Sequence, residues 1–452
     1  MEQSRRELIQ HTIGIAWPSV VESFFLTLAG IIDTIMVSQL GSYAIAAIGL
    51  TNQPKFLGLT LFFALNTTVA AFVARRKGEN NRAGANRVLV TASIYALILT
   101  VIITFLLMFY AEDLMRLVGS NADTHESASA YFRIIMGGTI FNVISMLINA
   151  ALRGAGNTSV AMISNVAAAV VNVCLNYLLI TGNLGFPALG VVGAAIATVL
   201  STIVSSIICL VYLLKKNSFI SIPYIISEKL RPTWEQAKAI IKFQSTMLIE
   251  FIGFRVGFMV TAILAARLGT DEFAIHQVGM NLLSLGFAFG DGMRVAAVTL
   301  TGQSLGAKEP RKARRYTQIC QRMGLVLASL IAITMFFGRQ SLFGVFFQGE
   351  KPEILTIYSP IITYFIMVIA AFQISQIIYS GSLQAAGDLK YTNTVSIVSV
   401  GVIRSVVTYL AVEVFGWGLT GIWLGVLTDQ LSRYIALSIR FKHYDFHGAK
   451  KL

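Results

Sequence analysis

Apolar runs of roughly 20 residues, the length that crosses a bilayer as a helix, recur along this chain with short polar breaks between them. Twelve spans are predicted, near residues 12–37, 44–74, 88–110, 130–152, 158–181, 188–214, 243–267, 272–300, 320–338, 357–384, 392–414 and 418–440. The breaks sort by charge. Arg75, Arg76, Lys77, Arg82 and Arg87 follow span two, Lys215, Lys216, Lys229, Arg231, Lys238 and Lys242 follow span six, and Lys308, Arg311, Lys312, Arg314, Arg315 and Arg322 follow span eight. The alternate loops are short or acidic, as at Glu112, Asp113, Asp123 and Glu126. Basic loops stay on the cytoplasmic side, so both termini are expected there, and an even span count preserves the alternation.

Polar words repeat at a fixed distance. Ala151-Leu152-Arg153-Gly154-Ala155-Gly156-Asn157 returns 231 residues later as Ser382-Leu383-Gln384-Ala385-Ala386-Gly387-Asp388. Ala44-Ile45 with Ile48-Gly49-Leu50 returns 230 residues later as Ala274-Ile275 with Val278-Gly279-Met280, and Gly190-Val191-Val192-Gly193 returns 228 residues later as Gly418-Leu419-Thr420-Gly421. Three matches in one order argue for a duplicated bundle, the usual plan of a transporter. The longest basic connection, with Pro223, Arg231-Pro232 and Trp234, suggests a short amphipathic helix along the inner surface. It separates an N-terminal six-helix lobe, 1–214, from a C-terminal one, 243–452, with 215–242 as cytoplasmic linker. The expected fold is an all-α membrane protein of twelve transmembrane helices in two pseudo-symmetric six-helix lobes around a central cavity.

Composition agrees with this reading. The chain is 55% hydrophobic and 13% charged, with mean hydropathy +0.71, where a soluble protein carries about a quarter charged residues. A net charge of +13 would suggest nucleic acid in a soluble protein; here the basic residues gather in loops against the lipid bilayer, and no nucleic-acid partner is expected. Cys174, Cys209 and Cys320 are too few and scattered for a disulfide framework or metal cluster and are expected to pack as small apolar residues. The charged start at Met1–Arg6 precedes a run too long for a cleaved signal, so it is taken as a retained first span.

The residues then resemble a known family. Asp33-Thr34-Ile35-Met36-Val37 with Leu40-Gly41 and Ala44 to Leu50, the Leu152 to Thr158 stretch, Gly185-Phe186-Pro187-Ala188-Leu189-Gly190 through Ala195, and Gly302-Gln303-Ser304-Leu305-Gly306-Ala307 are similar to motifs of the multidrug and toxic compound extrusion (MATE) transporters. The resemblance implies a cell-membrane antiporter, expected as a monomer, that exports bulky, amphipathic, often cationic compounds in exchange for H+ or Na+. No cofactor is expected.

Asp33 is the foremost candidate for coupling. An ionised carboxylate inside a span costs about 2.5–3.5 kcal/mol even on lenient scales, so one is seldom kept without a task. Its protonation then responds to hydration and neighbours. Glu22, eleven residues earlier, sits about 20° from the same helix face and about 16 Å along the axis; it could alternatively bond backbone loosened by Pro18. Asn165, Asn172 and Asn176 share one stripe of span five, which must face protein or water. The resemblance pairs Asn172 and Asn176 with the first-span aspartate and adds Thr198. Some relatives carry Asp at the Asn176 position; with Asn, this cluster keeps one ionisable group, Asp33. Helix-packing glue is the alternative for each amide, and the favoured one for Asn142 and Asn149.

The second half carries Glu250 and Arg255 on span seven, Asp291 and Arg294 on span eight, Arg404 on span eleven, and Asp429 and Arg433 on span twelve. Asp291–Arg294 and Asp429–Arg433 have the spacing of intrahelical pairs, and Glu250, Arg255, Asp291 and Arg294 are expected to form a charge network, either a fixed cluster or a relay. By the resemblance, the sodium-coupled branch places its span-seven carboxylate about one turn later than Glu250, and its span-ten acid corresponds to Gln373. Proton coupling through Asp33 is therefore preferred, with Na+ left open and no metal site assigned. Glu22, Gln53, Lys55, Asn149, His276 and Gln373 are candidate cavity residues; Gln53-Pro54-Lys55 suggests a bent helix reaching that cavity.

No Walker A motif, zinc-ligand pattern or nucleophile elbow occurs, so ATP-driven transport and hydrolysis lack residues for the work. A major-facilitator exporter is disfavoured, because Arg75-Arg76-Lys77-Gly78-Glu79-Asn80 stands where its Asp-Arg loop belongs. A lipid-linked saccharide flippase of the wider superfamily is kept alive by the deep Arg255, Arg294 and Arg404. A non-transporting receptor or scaffold would leave the duplicated site-bearing helices unexplained.

Overall fold

The computed structural model describes residues 5–347 and 352–446. Among the described residues all regular structure is helical: α1 (Arg5–Ser38), α2 (Ser42–Gly78), α3 (Arg82–Phe109), α4 (Ala111–Leu117), α5 (Ala122–Gly137), α6 (Thr139–Gly154), α7 (Thr158–Leu179), α8 (Gly190–Leu213), α9 (Ile222–Ser227), α10 (Trp234–Leu268), α11 (Thr270–Gly306), α12 (Pro310–Phe347), α13 (Pro352–Ala385), α14 (Leu389–Ile397), α15 (Ser405–Tyr409) and α16 (Gly418–His443). A single-turn 3₁₀ segment follows α7, and wide π-type turns at Val398–Arg404 and Leu410–Val414 flank α15. Among the described residues ten helices are long and apolar enough to cross a membrane, and α5 with α6, bent by 45° at Gly138, passes the same test as a pair. The twelfth rod is α16, whose hydropathy is lowered by Asp429, Gln430 and Arg433 in its middle. Every expected span thus falls on a helix or helix pair.

The repeated sequence words have a common physical cause. Gly156 (φ 92°) and Gly387 (φ 88°) adopt the left-handed conformation that closes a helix. Asn157 N–H reaches Leu152 O at 2.8 Å, and Asp388 N–H reaches Leu383 O at 2.9 Å. The next residue then starts the following helix: Asn157 Oδ1 accepts from Val160 N–H at 3.4 Å. The word therefore encodes a helix stop and a helix start, once per half. The third word marks close helix approach. A Cβ on Gly193 would lie 2.4 Å from Leu179 O, and one on Gly421 would lie 2.9 Å from Ala411 Cβ. Small residues let membrane helices touch backbone to backbone, where packing rather than hydrophobic exclusion holds them.

The chain divides into two compact units. One runs from Val21 to Gln244; the other combines the residues up to Val20 with those from Ser245 onward. In the first, α2 packs on α6 and α3, and α7 and α6 pack on α8. Ala44, Ala47, Met115, Phe132, Met136, Val191 and Ala195 form one of its buried apolar clusters. On α3, Ile98, Val101, Phe105 and Phe109 point outward as a lipid-facing stripe. In the second unit α11 and α12 pack on α13, which packs on α16.

Local contacts explain where these divisions fall. Leu8, Ile15 and Ala16 of α1 join the apolar core of the second unit, and His11 Nδ1 lies 3.0 Å from the Tyr316 hydroxyl. The linker belongs to the first unit, because the start of α3 binds its backbone. Arg82 donates to Phe219 O (3.2 Å), Lys216 O (2.9 Å) and Ser218 O (2.6 Å). Asn86 donates to Phe219 O at 2.9 Å and accepts from Ser221 N–H at 2.9 Å. Its regular structure is the six-residue α9 and, from Trp234, the first turns of α10, which begins before the expected linker ends. The other half repeats the device: Arg314, at the start of α12, donates to Phe441 O at 3.3 Å and to Lys442 O, beyond which α16 ends.

Candidate functional site

In the first unit, α1, α7 and α8 bring a polar chain into an apolar bundle. Asn176 is fully buried and donates one side-chain N–H to Asp33 Oδ1 and the other to Asn172 Oδ1 at 3.3 Å. Asn172 donates in turn to Thr198 Oγ1 at 3.4 Å, and Thr198 donates to Ala194 O at 2.9 Å. Both protons of the Asn176 amide are thereby used, while its carbonyl oxygen has no partner. Asp33 is half-buried. It interacts electrostatically with Lys55 of α2 and Tyr131 of α5, and the Lys55 Nζ lies 5.9 Å from the Tyr131 ring centroid. The α7 stripe works as a ruler: residues four apart lie one turn apart on one face, so Asn172 and Asn176 link α8 to α1.

A second polar knot lies closer to the start of α1. Glu22, 2% exposed, pairs with Arg153 Nη1 of α6 at 2.8 Å and accepts from Asn165 of α7 at 2.5 Å. Ser205 of α8 donates to Asn165 Oδ1 at 3.4 Å. The other Glu22 oxygen has no partner. Asn149 is likewise closed in, its Oδ1 accepting from Ser164 Oγ and Cys209 Sγ, both at 3.2 Å.

The second unit holds its charges differently. Asp429 on α16 is fully buried and lies between two guanidinium groups. Arg433 Nε is 2.9 Å from its Oδ1, and Arg404 Nη1, from the first π-type turn, is 3.6 Å from its Oδ2. Arg404 also donates to Thr261 of α10 at 3.0 Å. The Phe258 and Phe254 rings face Arg404 and Arg433 at 4.4 and 5.4 Å, adding cation–π contact in a dry setting. Glu250 accepts from Ser396 at 2.8 Å and from Gln384 at 3.2 Å, and Gln384 accepts from Arg294 at 2.7 Å.

Several sequence expectations change against these contacts. Asp291 and Arg294 form no salt bridge; Asp291 is exposed, and Arg294 turns to α13 because a Gln384 amide can serve both it and Glu250. Glu250 and Arg294 are thus joined through Gln384 rather than directly. Arg255 is exposed on α10. Against the expectation of cavity lining, Glu22, Asn149, His276 and Gln373 are all closed within their helical units. His276 stacks edge-on with Trp423 at 5.8 Å, and Gln373 faces the space left by Gly286. Lys55 is half-buried; the Gln53 side chain lies outside the described residues. Of the three cysteines, Cys209 and Cys320 are buried and Cys174 is exposed.

Arg153, Tyr131 and Gln384 are the participants that pattern reading missed. Arg153 and Gln384 occupy corresponding places in the repeated word, which was a usable signal: both halves put a long donor at the same turn.

Comparison decides which family this duplicated bundle of membrane-length helices belongs to. The MatE family model matches residues 18–178 and again 247–410. The chain belongs to the MatE family. It is a multi-pass membrane transporter and not an enzyme. A relative named probable multidrug resistance protein NorM, from Thermotoga maritima, is 28% identical over 438 residues, covering 94% of this chain and 90% of its own. An uncharacterized transporter, YisQ, from Bacillus subtilis is 24% identical, with 95% and 93% covered. The solved outward-facing structure of a multidrug resistance MATE family transporter shares this MatE fold with a TM-score of 0.88 at 24% identity, covering 96% of each chain.

Proposed function

We propose that this MatE transporter exports bulky, amphipathic, often cationic organic compounds across the cell membrane by alternating access, as a monomer with both termini in the cytoplasm, in exchange for protons carried by Asp33. The observation that carries the reading is the bond from Asn176 to the Asp33 carboxylate. One carboxyl in a half-buried polar chain can hold either a proton or the charge of an organic cation, and the two compete for it. The names of the relatives, probable multidrug resistance proteins, support export of drug-like compounds. The Asp33 cluster holds one carboxylate among neutral amides and a hydroxyl, which supports the exchange of a single proton. The saccharide-flippase reading needs free deep cations, yet Arg404 and Arg433 are tied to Asp429, and Arg294 is tied to Gln384.

Dye efflux from vesicles under separately imposed proton and sodium gradients tests this. The parent is expected to export ethidium down to collapse of the pH gradient regardless of sodium, and Asp33→Asn to lose at least about tenfold in rate, the scale of a lost charge interaction of one pKa unit. Undiminished export by Asp33→Asn, or export that follows sodium alone, contradicts it.

A further inference from the structure

Lys55 is a cation where a drug exporter for cations has little obvious use for one. It sits on α2 directly after Pro54, which is buried and removes the backbone N–H donation to residue 50. The side chain runs toward α5, with Nζ over the Tyr131 ring at 5.9 Å, and both residues interact electrostatically with Asp33. Asp33 and Lys55 are within electrostatic reach yet form no salt bridge, their charged atoms standing more than 4.0 Å apart. Among the described residues the charged and titratable groups facing this spot are Asp33 from α1, Lys55 from α2 and Tyr131 from α5; α7 and α8 contribute the neutral Asn172, Asn176 and Thr198. With Asp33 ionised the cluster is neutral. With Asp33 protonated it carries one positive charge.

We propose that Lys55 is the resident counter-cation of the Asp33 site: its tethered ammonium supplies the positive charge that a metal ion would otherwise bring, and after Asp33 takes a proton it repels a bound organic cation. The inference rests on Asp33 as the coupling carboxylate and adds what makes the exchange one-for-one. A proton passes from water to an Asp33 oxygen, no bond to Lys55 changes, and the charge left on Lys55 is no longer compensated. Repulsion between like charges in a partly desolvated site is strong, so proton entry and cation departure are linked. A salt-bridged lysine would be neutralised too completely for this, whereas a separated one keeps its field. The same charge disfavours Na+ at Asp33, because Na+ must share the ionised carboxylate with the ammonium, whereas a proton forms a covalent O–H bond to it.

Lys55→Met, Lys55→Gln, Lys55→Arg and Asp33→Asn, each purified and reconstituted, separate the possibilities. Lys55→Arg keeps the charge and is expected to retain more pH-driven efflux than the neutral variants. Lys55→Met and Lys55→Gln are expected to bind ethidium about tenfold more tightly in titrations, at the electrostatic scale of one like charge removed, and to lose most pH-driven efflux. Sodium chloride, but not choline chloride, is expected to compete with ethidium in both, and this competition should vanish when Asp33→Asn is added. Lys55→Gln guards against misfolding of the more apolar variant. If Asp33→Asn exports like the parent, the coupling role of Asp33 fails. If Asp33→Asn is inactive while Lys55→Met and Lys55→Gln match the parent in dye affinity, pH-driven efflux and sodium response, the Lys55 proposal alone is overturned.

Discussion

Asp429→Ala is expected to lower the stability of the protein by about 3–5 kcal/mol, the cost of leaving buried charge without its partner. Asp429 is fully buried, and Arg404 and Arg433, 1% and 4% exposed, both depend on it. Thr261 offers Arg404 one neutral oxygen, and the Phe258 and Phe254 rings offer weak compensation. In detergent, the melting temperature should fall by about 10 °C, from the usual 2–4 °C per kcal/mol for units of this size. A triple replacement, Arg404→Met with Asp429→Leu and Arg433→Met, removes all three charges and should recover much of the loss, since well-packed apolar groups often replace a buried ion cluster at no cost. Melting of Asp429→Ala within about 2 °C of the parent would show that the triad carries no such burden.

Arg153→Ala is expected to be nearly as damaging, by the same about 3–5 kcal/mol, but through the opposite charge. Glu22 would keep only the Asn165 amide on one oxygen, with the other already unpartnered. This knot ties α1 to α6, α7 and α8, so its loss should loosen the unit that also holds Asp33. The double variant Arg153→Ala with Glu22→Gln should be more stable than Arg153→Ala alone, because an amide costs far less to bury than a carboxylate. A double-mutant cycle measures this directly: coupling of about 0.5–3 kcal/mol supports an interacting pair, and strict additivity speaks against it. In exposed pairs such as Arg133–Glu112 the same cycle should return under about 1 kcal/mol.

These contrasts indicate what sequence could and could not reveal. Twelve helical rods were legible because apolar length and loop charge are one-dimensional properties. The asparagine stripe of α7 was legible for the same reason, since i,i+4 spacing fixes a helix face. The Asp429–Arg433 pair obeyed that spacing, yet Arg404 comes from another element, and no periodicity along one helix can announce it. Asp291–Arg294 shows the converse. Spacing permitted a pair, but the Gln384 amide of α13 takes the guanidinium at 2.7 Å. Burial was the least legible property of all: a carboxylate in a membrane run reads as functional, and at Glu22 the structure provides a permanent arginine instead. Lys55 looked merely odd in sequence, because its significance depends on the Asp33 and Tyr131 side chains from α1 and α5.

The central claim, that one carboxyl on α1 trades a proton for an organic cation, is tested most directly by counting protons on binding. Calorimetric titration of the purified protein with ethidium, at mildly acid pH in buffers of different ionisation enthalpy, yields the number released. The account predicts about one proton released per ethidium bound by the parent, as linkage requires when two ligands exclude one another, and none by Asp33→Asn. Equal release by both proteins, or none by the parent, would contradict it.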